Sequence, residues 1–210
     1  MKKALESATV VLVAHQFNPS IIDKLWLVKN LIVEEGDLLE GGVQAPVISQ
    51  VDTRKFRLQV IPEQLTFELK DSEDGSALSS LGLLVSRLPE TPYSAMGLNF
   101  LWRAQPDDND HARLSRELFF RADLPLYRAF DEGNSCFGAY FSKGWFDGSR
   151  LKLDVKPVDA AGRKLIQFAF NFHLDLTSQE RPAEINAFLK RWTQAREMSF
   201  EIFTSAVGER

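Results

Sequence analysis

Apolar and polar positions along the chain change period several times, and each change marks an element. Val10, Val11, Leu12 and Val13 form a continuous apolar run within a strand expected over residues 9–17, buried on both faces. Asn18-Pro19 then reads as a helix start, with Asn18 capping free amides and Pro19 in the first turn. Ile21, Ile22, Leu25, Trp26 and Val28 follow at helical spacing, to an end near Asn30. Three short strands come next. One covers 47–52, one alternates through Phe56, Leu58 and Val60, and one through Leu65, Phe67 and Leu69. Leu78, Leu81, Leu84, Val85 and Leu88 mark an amphipathic helix closed by Pro89.

The same order recurs. Met96, Leu98, Phe100 and Trp102 alternate as a strand, and a helix starting at 106–108 places Leu114, Leu118 and Phe119 inward. Asp131–Asn134 reads as a loop. A strand over 136–146 ends at Asp147-Gly148, a hairpin signal. Leu151, Leu153 and Val155 alternate, and Ile166, Phe168, Phe170, Phe172, Leu174 and Leu176 hold strict period two. One long helix from about Pro182 turns Ile185, Phe188, Leu189, Trp192 and Ala195 inward. Each half, 1–91 and 92–210, thus reads strand, helix, three strands, helix. The expected fold is α+β: a duplicated unit forming a curved antiparallel sheet with helices on one face. This order resembles the repeated unit of the TATA-binding-protein-like architecture. The resemblance is topological and implies no functional residue.

If the apolar sides of the strands face the helices, the open face carries Arg57, Gln59, Thr66, Glu68, Lys70, Lys152, Asp154, Lys156, Gln167, Asn171, His173 and Asp175. Both signs of charge are present there, and the net charge of the chain is -4. A nucleic-acid groove would be dominated by Lys and Arg, so the balance argues against that partner. With 16 Phe, 4 Trp and 3 Tyr in 210 residues, the aromatics are expected to fill two fused cores, and secondarily to line a pocket between the sheet and the C-terminal helix. No apolar run is long enough for a membrane helix. A single cysteine excludes an internal disulfide and fits a cytoplasmic setting.

Chemistry-bearing patterns are sparse. No HExxH, CxxC, Walker loop, GxGxxG or Gly-x-Ser-x-Gly occurs, so no metal, cofactor or nucleophile elbow is expected. His15 and Asn18 stand at a strand-to-helix junction that can present a side chain and helix amides. His173 has Asp175 as its same-face neighbour two residues on, the carboxylate that could orient it. Cys136 is expected as a small buried residue. Phe200, Ile202 and Phe203 carry apolar character round the end of the last helix and are candidates for an interface. The expectation is a non-catalytic binding or assembly protein. It would act through its sheet face, an edge strand or the C-terminal helix, on a protein partner or a second copy. The alternative is a small-molecule binder or enzyme using the pocket beneath that helix.

Overall fold

The computed structural model describes residues 1–130, 135–138, 140–146 and 148–208. The expected loop Asp131–Asn134 and the turn residue Asp147 lie outside the described residues. The fold is α+β, built on one antiparallel sheet of nine described strands. In chain order the elements are β1 (Lys2–Ala14), α1 (Lys24–Lys29), β2 (Val43–Ala45), β3 (Ile48–Asp52), β4 (Phe56–Ile61), β5 (Gln64–Leu69) and α2 (Leu78–Arg87). They continue with β6 (Tyr93–Gln105), α3 (His111–Phe119), α4 (Pro125–Arg128), β7 (Tyr140–Phe146), β8 (Ser149–Ala160), β9 (Arg163–Asp175), α5 (Arg181–Leu189) and α6 (Trp192–Val207). The strand order across the sheet is β2-β3-β4-β5-β1-β6-β9-β8-β7.

The seam of the sheet is the β1–β6 ladder, which runs from Lys2↔Gln105 to Ala14↔Tyr93. Period two decides which side chains meet on each side of it. Val10 opposes Leu98, and Leu98 opposes Phe172. All three are buried. Outward from there the same face carries Leu58 and Phe67 on one side and Phe100 and Phe170 on the other, all within one continuous apolar cluster. Helix α6 covers part of this face. Phe203 stacks on Trp102 with ring centroids 5.5 Å apart and meets the Phe168 ring edge at 5.2 Å. Trp192 tilts against Phe100 at 4.6 Å, and the Trp102 indole N–H donates to Ser199 Oγ at 2.8 Å.

Several elements depart from expectation for local reasons. The first strand spans Lys2–Ala14, and Phe17 is instead held by its N–H donating to the Pro62 carbonyl. Asn18 does not cap a helix. Its Oδ1 accepts from the Ser20 N–H in a local turn, while Asp23 caps α1 by accepting from the Trp26 N–H at 2.7 Å. The C-terminal helix is two helices, α5 and α6, that break at Lys190–Arg191. The inward set Ile185, Phe188, Leu189, Trp192 and Ala195 is nonetheless buried. The strand expected from Cys136 begins at Tyr140, and Cys136 is exposed. Trp145 is 79% exposed and fills no core. The β8–β9 connection is a two-residue turn whose central Ala161 and Gly162 both have positive φ, the geometry that matches strand twist.

Candidate functional site

The edge strand β7 bounds a cavity beneath α6. Its register with β8 puts Ser142 opposite Leu153 and Gly144 opposite Leu151, so these small residues lie on the helix-facing side of the sheet. The cavity has a volume of about 450 Å³, and its walls come from β8 and β9, α6 and Phe119 of α3. Ser142 is the one polar side chain among its lining residues, which include Leu153, Phe168, Phe170 and Ile202. A Cβ built at Gly144 would meet nothing within 4 Å. The cavity therefore owes its open flank to two small residues on a strand whose outer edge pairs with no other described strand. Such an edge presents unpaired backbone donors and acceptors.

The C-terminal candidates divide around this cavity. Phe203 is fully buried in the chain's own core and offers no surface. Ile202 lines the cavity. Phe200 is 45% exposed, with its ring 5.2 Å from that of Trp102. An interface at this end can draw on Phe200 and Ile202, and Phe203 supports it from beneath.

On the open face, His173 and Asp175 meet as the period-two pattern implies. His173 Nε2 lies 3.0 Å from Asp175 Oδ1. Arg150, opposite His173 in the β8–β9 register, adds a hydrogen bond to the same carboxylate at 2.9 Å. The hydrogen bond from His173, with Arg150 beside it, holds the Asp175 carboxyl below its usual value. No hydroxyl or thiol is bonded to the imidazole among the described residues. His15 is exposed just past the end of β1, and its backbone N–H donates to the Pro92 carbonyl. No described hydrogen bond or ion pair joins His15 or Asn18 to the His173 cluster. The centre of this face is a polar row set by register: Arg57, Glu68, Thr9, Asn99, Asn171 and Lys152 follow one another across β4, β5, β1, β6, β9 and β8. Asn171 Nδ2 donates to Asn99 Oδ1 at 2.7 Å, and Asn99 Nδ2 donates to Thr9 Oγ1 at 3.3 Å.

A second constellation was not visible in the sequence. Cys136 Sγ lies 3.8 Å from His111 Nδ1, and His111 Nε2 lies 3.4 Å from Asp159 Oδ1. The order thiol, imidazole, carboxylate is that of a nucleophilic triad. Its electrostatics oppose that use. Partial burial, with Asp159 and Asp110 nearby, pushes the Cys136 thiol up against the pull of Lys164, which favours thiol over reactive thiolate. No group of three or more His, Cys, Asp or Glu among the described residues is arranged to hold a metal ion. No described helix is long and apolar enough to cross a membrane. Comparison with known proteins matches no family model and no curated protein.

Proposed function

We propose that the chain is a non-catalytic binding protein that takes an extended, apolar segment of another polypeptide along the outer edge of β7. The observation that carries this reading is the apolar cavity flanked by Ser142 and Gly144. A strand added to β7 gains main-chain hydrogen bonds from the open edge, and its alternate side chains point to the helix-facing side. There they enter the cavity, while the others pass over Lys143 and the exposed Trp145 on the far face. A small molecule in the same cavity would find one hydroxyl to orient it, too few convergent polar groups for a specific small-molecule site.

The test is calorimetric titration with a hexapeptide of alternating valine and threonine, blocked at both ends. Saturable binding is expected, and Gly144→Leu, which fills the cavity from an unstrained strand position, is expected to abolish it while leaving circular dichroism unchanged. Absence of heat, or equal binding by wild type and variant, would refute the proposal. Light scattering of the free protein separates a partner segment from a second copy as occupant.

The duplicated architecture belongs to the same proposal. Counting outward from the β1–β6 seam, the strands run β5-β4-β3 on one side, with the short β2 as a fourth beyond them, and β9-β8-β7 on the other. Each half closes with helix, α2 in one and α5–α6 in the other. That order supports halves at 1–91 and 92–210 and the TATA-binding-protein-like comparison. An experimental structure without a pseudo-twofold relation across the seam would overturn it.

A further inference from the structure

The open face of β7 carries an unanswered charge. Ser142 and Gly144 point to the helices, so Lys143 between them points to the opposite face, with Trp145 two residues on. Lys143 is exposed, and no hydrogen bond or ion pair reaches its ammonium among the described residues. The register makes Lys152 of β8 its direct cross-strand neighbour. Like charges directly opposite each other on one face destabilise a strand pair.

The anions nearby are engaged elsewhere. Asp154, diagonal to Lys143, pairs with Lys156 at 3.2 Å, and Asp175 pairs with Arg150 at 2.9 Å. On this face β7 and β8 hold Lys143, Arg150, Lys152 and Lys156 against Asp154 as their one carboxylate. The outer side of Lys143 borders no described strand, so a carboxylate there has to come from whatever fills the edge.

We propose that the segment taken along β7 alternates apolar with acidic residues. An Asp or Glu carboxylate lies directly opposite Lys143, and the apolar residues on either side of it enter the cavity at Ser142 and Gly144. This preference rests on strand addition at β7 and adds to it the chemistry of the partner, an acidic amphipathic strand. A cross-strand neighbour on the same face has its Cβ about 5 Å away, within reach of a lysine–carboxylate pair. The two faces are not interchangeable. A carboxylate turned into the apolar cavity would be buried without a counter-charge, so the alternation fixes acid outward and apolar inward.

Calorimetric titration of the full chain with three blocked hexapeptides tests this: valine alternating with glutamate, with threonine and with lysine. The glutamate peptide is expected to bind about two- to fivefold more tightly than the threonine peptide, and the lysine peptide about two- to fivefold more weakly. Net charge favours the reverse order, because a chain at -4 attracts the lysine peptide, so the expected order reports the local pair. In Lys143→Glu the preference for glutamate over lysine is expected to fall about fivefold or more. In about 0.5 M sodium chloride the three affinities are expected to converge. Equal affinities at low salt, a tightest lysine peptide, or a preference unchanged in Lys143→Glu would each overturn the acidic preference. Gly144→Leu separates the two readings. If it abolishes binding of three peptides that bind wild type equally, strand addition stands and the acidic preference falls; if no peptide binds wild type, both fall. The wild-type order decides the matter even if Lys143→Glu folds poorly.

Discussion

At the scale of single residues, Tyr93 lends itself to a pH test because its phenol is buried. It is fully buried, its ring edge meets Phe17 at 5.8 Å, and its hydroxyl has no well-formed hydrogen bond among the described residues. Burial pushes its phenol up to about 12, with Thr91 offsetting part of that rise. The unfolded phenol titrates near 10, so the folded state holds this proton more tightly. The stability this confers is intact below about pH 10 and is lost as pH rises toward about 12. Ultraviolet titration should show one phenol ionising late, together with unfolding, and Tyr93→Phe should remove that late phase. At neutral pH the same variant should gain about 1 kcal/mol in urea denaturation, because it removes an unmet buried donor. A loss of similar size would mean that the hydroxyl is bonded. The His173–Asp175 pair was legible in the sequence because period two alone puts neighbours two apart on one face. Arg150 was not, because only the β8–β9 register brings it to Asp175. His111, Cys136 and Asp159 come from three separate parts of the chain, and no spacing rule links them.

At the scale of elements, strand interiors were readable and the helix termini were less so. β4, β5 and β6 fall where apolar alternation places them, since burial of one face fixes every second residue. A cap depends on one side chain reaching one amide, and two candidates competed at the first helix. Asn18-Pro19 has the composition of a start, yet Asp23 makes the bond. Asp23→Ala should therefore cost about 1 kcal/mol, while Asn18→Ala, which loses only a solvent-exposed turn contact, should stay within about 0.5 kcal/mol of wild type. Paired urea denaturation measures both, and equal losses would contradict the assignment of the cap. The α5–α6 break was hidden for a related reason. The inward positions keep helical spacing across it, so the apolar pattern carries no trace of the interruption at Lys190–Arg191. The cavity beneath α6 was legible only as a possibility. Its existence depends on Ser142 and Gly144 being small where the register aims them inward, which a list of aromatics does not contain.

At the scale of the whole molecule, the question is whether residues 1–91 and 92–208 behave as two bodies or one. The sheet passes through the seam without interruption, and the buried apolar cluster extends from Phe56 and Leu58 to Phe168 and Phe170. On the open face the Thr9–Asn99–Asn171 row crosses the same boundary, and Gly97 leaves it room: a Cβ there would lie 2.8 Å from Asn171 Nδ2. Neither half can expose its side of the β1–β6 ladder without losing main-chain hydrogen bonds and burial at once, which couples their unfolding. Leu98 is the position to test, being fully buried on β6 between Val10 of one half and Phe172 of the other. Leu98→Ala should cost about 2–5 kcal/mol through lost contact and a residual cavity. In hydrogen exchange followed by mass spectrometry across a urea series, peptides from 1–91 and from 92–208 should lose protection at one shared midpoint, and the variant should lower that midpoint equally for both. If the first half kept its wild-type midpoint while the second fell, the seam would be a contact between independent domains. The β7 edge would then be free to open without residues 1–91. A shared shift instead means that filling the cavity at β7 stabilises the entire sheet, because a ligand that binds only the folded state raises the stability of whatever unfolds as a unit.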